Sequence, residues 1–318
     1  MRDAFIRSLT ELAARDPSIL LLTGDLGYGV LTDFAHRFPG QFVNVGIAEQ
    51  NMTGLAAGLA LEGRTVFTYS IGNFPTLRCL EQIRNDVCYH QANVKIVSVG
   101  SGMSYGPLGI SHHATEDISI IRALPNITVV SPCDRWEAGE ATHAVALRPG
   151  AALLRLDKSS APETVKPGEI FRIGKARTVR PGRDVTLIAT GGILGEALSA
   201  AGILESTSVQ CRVISMHTIK PLDISAVIAA ATETGGIVTI EEHTVEGGLG
   251  GAVAENLLES GARPSFFLRV GLRAGFSPVS GSQQYLRHIH GLDAPAIAQS
   301  VRNCLAGTPH QYVSRACA

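Results

Sequence analysis

The stretch that decides the fold reads Asn44-Val-Gly-Ile-Ala-Glu49-Gln50-Asn-Met52. It predicts a short strand followed at once by a helix over Ala48–Leu61. Glu49 is expected in the first helical turn. The helix dipole stabilises a carboxylate there, so this position by itself does not require a functional role. The same helix continues with small residues, namely Gly54, Ala56, Ala57, Gly58 and Ala60. Because such a face allows close approach of another helix, it indicates that Glu49 lies at an interface.

Apolar runs bounded by Gly, Pro or Asp alternate with amphipathic stretches on both sides of this segment. The predicted strands of the first half are Ile19–Leu22, Thr65–Tyr69, Val94–Val99, Ile127–Val130 and Ala152–Leu156. The predicted helices around them are Asp3–Ala14, Ala48–Leu61, Thr76–Tyr89, Thr115–Arg122 and Arg135–Ala146. Fully apolar strands separated by helices of this length predict βαβ units around a buried, mostly parallel sheet.

A second α/β region follows a segment rich in Pro and Gly between Ser159 and Arg183. Its predicted elements are the strands Val185–Ala189, Cys211–Ser215, Gly236–Ile240 and Phe266–Val270 and the last helix Ala294–Leu305. The sequence therefore predicts an α/β protein of two domains, each a mostly parallel sheet flanked by helices. We expect the domains at residues 1–160 and 183–318, joined by a linker at residues 161–182.

The composition argues against nucleic-acid and membrane partners. The net charge is −1, with 45% hydrophobic and 17% charged residues, which gives no electrostatic case for nucleic acid or an acidic membrane surface. No apolar run reaches membrane-spanning length, and the N-terminus lacks the long apolar core of a secretory signal. Six cysteines without a C-x-x-C pair indicate reduced thiols. The expected location is the cytoplasm.

Gly46-Ile-Ala-Glu-Gln50 resembles the signature of the pyrimidine-binding domain in the thiamine-diphosphate-dependent transketolase family. Other motifs follow in the family's order: Thr23-Gly-Asp25-Leu-Gly27, Glu81-Gln-Ile-Arg-Asn85, Gly109-Ile-Ser-His-His-Ala-Thr-Glu-Asp117 and Leu124-Pro-Asn-Ile-Thr-Val-Val-Ser-Pro132. Further on, Glu241-Glu-His243 and Gly247-Gly-Leu-Gly-Gly251 resemble the family's C-terminal domain. The resemblance covers almost the whole chain. It implies a pyrimidine-binding fold followed by a transketolase C-terminal domain.

The resemblance implies that Glu49 binds a nitrogen of the cofactor's aminopyrimidine ring and so promotes loss of a proton from the thiazolium carbon. The cofactor supplies the electron sink, while the protein orients it and moves protons. The residues that the resemblance places at the cofactor are Asp25, Ile47, Glu49, Phe74, Arg78 and Gln82. From the residues alone, Phe74 is either a stacking ring or a core side chain. Arg78 and Gln82 are four residues apart, on one face of the predicted helix, where Arg78 is alternatively a solvated side chain.

His112 matches the family histidine that faces the reacting carbonyl, where it can exchange protons or hold an oxyanion. The resemblance makes Glu49 and His112 the catalytic residues, and His112 also a substrate-binding one. Without the family, a lone histidine such as His112 in a Gly-rich loop is more often just a polar loop residue, and His113 stands where the family often has Gln. The pair His288 and His290 lacks a third ligand at a suitable spacing, so we predict no metal site in this chain.

The substrate side departs from ordinary transketolases. The resemblance places Arg2 and Lys158 at the substrate, but Lys158 replaces an Arg and offers a point charge instead of a fork. Leu108 stands where the family usually has an Asp that binds a sugar hydroxyl. Gly29 and Gly100 stand where a Ser and a His often bind the substrate phosphate. We therefore expect an acceptor other than a standard sugar phosphate.

The family's other half binds Mg²⁺ and the diphosphate through a Gly-Asp-Gly…Asn motif, whose oxygen donors suit a hard cation. No Gly-Asp-Gly occurs in this sequence, since Gly24-Asp25 is followed by Leu26. The resemblance thus implies a separate N-terminal transketolase subunit that carries this motif. It also implies an α₂β₂ assembly that acts on small-molecule sugars.

The preferred hypothesis is the C-terminal subunit of a split transketolase, which transfers a two-carbon ketol unit from a ketose donor to an aldehyde acceptor. A second hypothesis is the β subunit of a 2-oxoacid dehydrogenase or a pyruvate-using acyl transferase, because the hydroxyl-binding Asp is missing. A third is a non-catalytic scaffold. The presence of both Glu49 and His112 argues against the scaffold.

Overall fold

The computed structural model describes residues 1–273 and 275–307, and there the chain forms two sheets flanked by helices. The predicted α/β class with two mostly parallel sheets is confirmed. The first sheet contains β1 (Ile19–Thr23), β2 (Phe42–Asn44), β3 (Thr65–Ile71), β4 (Val94–Val99), β5 (Ile127–Val130), β6 (Ala151–Leu156) and β10 (Thr218–Lys220). The second contains β7 (Arg177–Arg180), β8 (Val185–Thr190), β9 (Cys211–Ser215), β11 (Ile237–Thr244) and β12 (Phe267–Leu272).

The helices cover both faces of these sheets. Those of the first half are α1 (Arg2–Ala13), α2 (Thr32–Arg37), α3 (Glu49–Leu61), α4 (Leu80–Gln82), α5 (Asp117–Ala123) and α6 (Arg135–Leu147). Those of the second half are α7 (Leu194–Glu205), α8 (Ile224–Glu233), α9 (Leu249–Ser260), α10 (Gln283–Ile289) and α11 (Ala294–Leu305). Among the described helices, none has both the length and the apolar character needed to cross a membrane.

The first sheet has the order β10-β5-β6-β4-β3-β1-β2, and six of its strands are mutually parallel. β1, β4, β5 and β6 are buried along their whole length, as expected for strands covered on both faces. The six parallel strands therefore end at one edge of the sheet. Open parallel sheets bind ligands at this edge. The segments that leave it carry Asp25, Glu49, Phe74, His112 and Lys158, with Glu49 as the first residue of α3.

The second sheet has the order β12-β11-β8-β9-β7, in which β7 alone is antiparallel. β7 lies inside residues 161–182, the range expected to be a linker. β10 comes from the second half of the chain, yet it pairs antiparallel with β5 of the first sheet. Neither short strand was predicted, because neither has a long apolar run. The domain limits themselves stay a prediction.

The predicted helix Thr76–Tyr89 is wrong as a single α-helix. Leu77–Cys79 is a 3₁₀ turn, α4 follows, and Ile83–Tyr89 is a π-helix. π-helical turns are frequent at functional sites, and this one contacts α3. Because the helical geometry changes along the segment, Arg78 and Gln82 do not share one face of a regular helix.

The described cysteines Cys79, Cys88, Cys133, Cys211 and Cys304 are free thiols, and all but Cys304 are buried. This agrees with the prediction of reduced thiols for those five. Cys317 and the other residues after Gly307 lie outside the described part of the chain.

A buried guanidinium joins the two halves of the chain. Arg155 on β6 donates through Nε to Asp117 Oδ2 at 2.8 Å, and both side chains are almost fully buried. Its Nη2 donates to the Ala114 carbonyl at 2.9 Å and to the Glu242 carbonyl on β11 at 3.3 Å. Partners from both halves therefore satisfy this charge, as burial requires.

We predict that Arg155→Met lowers the free energy of unfolding by about 3–5 kcal/mol, because it leaves the Asp117 carboxylate buried without its partner. Arg180→Met is the matched control, since the Arg180–Glu205 pair spans 3.0 Å with Glu205 largely exposed. This control should lose about 0–1 kcal/mol. Urea denaturation followed by circular dichroism measures both, and equal losses would contradict the role given to Arg155.

Candidate active site

Glu49 is the first residue of α3, and its side chain is only 3% exposed. Its Oε2 accepts a hydrogen bond from Arg78 Nη1 at 2.8 Å, although the Arg78 side chain is 46% exposed. Gln50 Nε2 donates to the Arg78 carbonyl at 3.1 Å, which holds the 3₁₀ turn against α3. The Glu49 carboxylate is therefore buried, while its cationic partner reaches the surface.

An aromatic ring and an imidazole continue from this ion pair. Arg78 Cζ lies 4.3 Å from the centroid of the Phe74 ring, a cation–π contact. The half-buried Phe74 ring meets the His112 imidazole edge to face, with 5.3 Å between centroids. The structure thus brings Glu49, Arg78, Phe74 and His112 into one series of contacts.

His112 lies on the loop of residues 101–114, here called the His112 loop. Its Nδ1 lies 2.9 Å from Ser111 Oγ. Burial, with a smaller contribution from the neighbouring His113, lowers the pKa of His112 below its ordinary value of 6.5. At pH 7 the imidazole is therefore neutral, the form that can accept a proton.

The end of β3 fits closely against the His112 loop. Asn73 Nδ2 donates to the His113 carbonyl at 2.5 Å. Gly72 has a φ of +47°, and a Cβ at this position would lie 3.2 Å from the His112 carbonyl oxygen. Position 72 thus favours glycine for its backbone angle and for the limited space. This contact fixes His112 relative to Phe74, which follows the same strand.

Asp25 has a different set of partners from Glu49. Its carboxylate accepts from Asn44 Nδ2 at 2.9 Å and from the Tyr28 hydroxyl at 2.7 Å, and these bonds lower the pKa of Asp25. Asn44 Oδ1 accepts in turn from the backbone N–H groups of Asp25 and Gly46. This network joins the end of β1 to the turn that precedes Glu49. Asp25 therefore shapes the wall of the site.

Ile47 and Gln82, both predicted at the cofactor, lie in contrasting environments. Ile47 is 79% exposed on the turn before α3, so it is available to a molecule that docks on this surface. Gln82 Oε1 is buried and has no hydrogen-bond partner within the described chain. A buried acceptor without a donor costs free energy, which makes Gln82 suited to receive a donor from a ligand.

Tyr105 connects His112 to Lys158. The rings of Tyr105 and His112 have centroids 6.1 Å apart, and Lys158 Nζ lies 4.5 Å from the Tyr105 centroid. Gly100 has a φ of +92°, and a Cβ there would lie 2.2 Å from the Tyr105 ring. Tyr105 therefore occupies the space that a side chain at position 100 would need. This is the position where ordinary transketolases often have a histidine.

A cavity of about 360 Å³ lies beside Lys158 and contains a cluster of cationic side chains. The polar side chains that line it belong to Arg2, Asp3, Arg7, Arg135, Lys158 and Ser160. The structure thus brings together the two residues predicted at the substrate, Arg2 and Lys158, and adds two more arginines. Such a cluster is chemically suited to a phosphate or sulfonate anion.

The sequence interpretation missed Tyr105, Arg7 and Arg135. Arg135 follows β5 and Lys158 follows β6, so their shared position at the carboxyl edge was an available signal. Arg7 reaches the cavity because α1 packs against α6, which no local pattern reveals. Gly100 signals that no side chain projects from that position, but the sequence does not show that the Tyr105 ring occupies the space.

A buried carboxylate, an aromatic ring and a histidine at the carboxyl edge of a parallel sheet define an α/β protein with a cofactor-type pocket. Residues 1–164 match the family described as transketolase, pyrimidine binding domain. Residues 174–297 match the family described as transketolase, C-terminal domain. The chain belongs to the transketolase family.

Two similar proteins are named as parts of multi-subunit transketolases. One, from Phocaeicola vulgatus, is a subunit of apulose-4-phosphate transketolase and is 40% identical over 81% of this chain and 84% of that protein. The other, the 6-deoxy-6-sulfo-D-fructose transketolase subunit SqwH from Clostridium sp. (strain MSTE9), is 37% identical over 94% and 92%, respectively. A solved structure described as a split gene transketolase, inactive beta4 tetramer, has a TM-score of 0.85 and 37% identity, over 96% of this chain and 97% of that one.

Family membership implies dependence on thiamine diphosphate, and the residues present fit its aminopyrimidine ring. Glu49 offers a buried carboxylate for a ring nitrogen, and Phe74 offers an aromatic face. Gln82 offers the buried oxygen that lacks a donor in the described chain. A flat heteroaromatic ring with hydrogen-bonding edges requires such a set.

We predict that the His112 imidazole titrates below pH 6.5, because burial disfavours its charged form. His113→Asn removes a neighbour that can carry positive charge, so the pKa of His112 should move upward. NMR titration of isotope-labelled histidine measures this, and His112→Gln assigns the signal. His36→Asn on the exposed side of α2 is the control and should leave the pKa of His112 unchanged. A His112 pKa at or above 6.5 in the wild type would contradict the described environment.

Proposed function

We propose that this chain is the C-terminal subunit of a split transketolase, which transfers a two-carbon ketol unit from a ketose donor to an aldehyde acceptor. The observation that carries the proposal is the buried Glu49 carboxylate, which is joined through Arg78 and Phe74 to His112 by direct contacts. The names of the similar proteins support ketol transfer. The names of the two relatives described above favour it over the 2-oxoacid chemistry that the sequence alone left open.

When bound, thiamine diphosphate supplies the nucleophilic carbon and the electron sink for breaking and forming the carbon–carbon bond. Glu49 shares a proton with a nitrogen of the aminopyrimidine ring, and its burial keeps bulk water away from that proton. Phe74 covers a face of the ring and orients it. His112, neutral at pH 7, takes a proton from the donor hydroxyl and returns one to the acceptor's carbonyl oxygen.

A second polypeptide completes the site in this proposal. Since the sequence contains no Gly-Asp-Gly, an N-terminal subunit holds Mg²⁺ and the diphosphate, in an α₂β₂ assembly. Ile47 and Tyr28 are exposed beside the site, and α3 exposes Leu55 and Leu61. Exposed apolar side chains around an incomplete pocket support docking of that subunit here. The proposed location is the cytoplasm, a reducing compartment that suits the free thiols.

The proposed substrate is a non-standard sugar with a terminal phosphate or sulfonate. The cavity beside Lys158 supports the anion, because four cationic side chains line it. The non-standard sugar is supported by Leu108, which offers no hydrogen bond to a hydroxyl, and by Tyr105, which fills the space above Gly100. Apulose-4-phosphate and 6-deoxy-6-sulfo-D-fructose, in the names of the two relatives, both carry such an anion.

We expect Glu49→Gln to lower kcat about a hundredfold or more, because an amide cannot share the ring proton. The assay uses the chain reconstituted with the N-terminal subunit, thiamine diphosphate and Mg²⁺, and size-exclusion chromatography confirms assembly. Glu259→Gln, at the exposed end of α9 and away from the proposed docking surface on α3, is the control and should keep wild-type activity. Full activity in Glu49→Gln would instead indicate a scaffold, and CO₂ release from pyruvate would indicate the 2-oxoacid reaction.

Arg135→Gln should raise KM for an anionic substrate about tenfold, because a hydrogen bond to a charged group contributes about 1.5–3 kcal/mol. KM for an uncharged analogue of the same length should not change. Comparing phosphate and sulfonate substrates tells which anion the cavity prefers. Arg263→Gln, on the exposed segment after α9, controls for loss of overall charge. Equal changes in KM for charged and uncharged substrates would contradict anion binding in this cavity.

A further inference from the structure

The His112 loop is closed at its base. Gly102 and Ala114, near its two ends, exchange backbone hydrogen bonds of 2.9 Å and 2.8 Å. Tyr105 and His112 lie between them, so both ends of the segment that carries these rings are held at one point. A contact that holds this point therefore contributes to the position of His112.

A side chain of the second sheet contacts this base. Glu242 on β11 is almost fully buried, and its Oε1 accepts from the Met103 N–H at 2.6 Å. The Glu242 carboxylate packs directly against the backbone of Gly102. A Cβ at position 102 would lie only 2.6 Å from Glu242 Oε1, so a side chain has no room there. The φ of +59° at Gly102 also favours glycine. The carboxylate therefore meets the loop backbone directly.

Two further donors hold this carboxylate. Gln283 Nε2 donates to Glu242 Oε1 at 2.9 Å, and Arg287 Nε donates to Oε2 at 2.5 Å. Both donors belong to α10, which is also part of the C-terminal half. A buried carboxylate with three donors has one defined position, because any shift leaves a polar group without its partner.

A second contact, independent of the carboxylate, joins the same two parts of the molecule. The Gly281 N–H donates to the Gly106 carbonyl at 3.3 Å. A Cβ at Gly106 would lie 2.3 Å from the Gly281 carbonyl oxygen, so the loop meets the start of α10 backbone to backbone. The C-terminal domain thus supports the loop on both sides of Ser104.

We propose that Glu242 is a positioning residue, through which the C-terminal domain holds the His112 loop in the geometry that ketol transfer needs. Glu242 contacts Met103, nine positions before His112, and it acts through the loop backbone. The inference rests on the proposed function for its link to catalysis. The structural claim, that Glu242 fixes the position of the His112 loop, depends only on the contacts of Glu242.

Glu242→Gln tests this in the reconstituted complex. An amide has one acceptor oxygen and adds two N–H donors, so it cannot serve Met103, Gln283 and Arg287 together. We expect kcat to fall about tenfold to a hundredfold, since small misplacements of a reacting group have effects of this size. The Kd of thiamine diphosphate should stay within about threefold, because Glu49 and Phe74 lie on other elements.

Glu241→Gln is the matched control. Glu241 is adjacent and fully buried, and it also accepts backbone N–H bonds, but from Leu249 and Gly250 of α9. This variant should retain kcat within about threefold. Equal losses of kcat in the two variants would reduce Glu242 to a general structural role and overturn the proposal. Unchanged kcat in Glu242→Gln would overturn it as well.

Hydrogen exchange of the full chain separates this inference from the proposed function. Glu242→Gln should speed exchange at the amides of residues 102–114 and raise the His112 pKa toward its ordinary value. Glu241→Gln should speed exchange at residues 249–251 instead. Absence of ketol transfer in the wild-type complex would contradict the proposed function. The exchange rates and the His112 pKa would still show whether Glu242 holds the loop.

Gly106→Ala keeps the test decisive if Glu242→Gln does not fold. The added methyl group would lie 2.3 Å from the Gly281 carbonyl oxygen and so displaces the loop, while no carboxylate is replaced. We expect the same fall in kcat with unchanged cofactor affinity. Wild-type kcat in Gly106→Ala would show that the contact with the C-terminal domain does not position His112.

Discussion

Six parallel strands of the first sheet end at one edge, and the location of the site follows from that constraint. Backbone groups within the sheet pair with neighbouring strands, whereas the loops beyond the edge are open to ligands. Glu49, Phe74, His112 and Lys158 follow four different strands. They nevertheless form one series of contacts, from a buried carboxylate through aromatic rings to a cationic cavity.

Elements with strong local patterns were predictable from the sequence. Three strands begin and end where the sequence predicted: Val94–Val99, Ile127–Val130 and Cys211–Ser215. Strands that are largely buried on both faces consist mainly of apolar residues, so the apolar run marks their limits. β7 and β10 were missed because they are short and partly polar, and antiparallel pairing with distant strands stabilises them. The segment at residues 76–89 was expected to be helical, but its change from 3₁₀ to π geometry depends on packing against α3.

The candidate site divides in the same way. Ordered motifs located Glu49, His112 and their neighbours, because each motif is contiguous in the chain. Tyr105 and Glu242 were missed because their contacts are made with residues that no motif links to them. Tyr105 fills the space beside Gly100, and Glu242 accepts a hydrogen bond from the Met103 N–H. The sequence shows the glycines at positions 100 and 102, but it does not show which side chains pack against them.

The path of β10 limits how this chain can be divided. A cleavage within residues 161–182 would cut the covalent path between β5 and the strand that covers its outer edge. The N-terminal fragment would then expose the unpaired backbone of an apolar strand, a surface prone to edge-to-edge aggregation. The C-terminal fragment would carry β10 without a sheet to join. An expression fragment meant to contain the whole first sheet therefore needs to include β10, even though this strand is encoded among those of the second sheet.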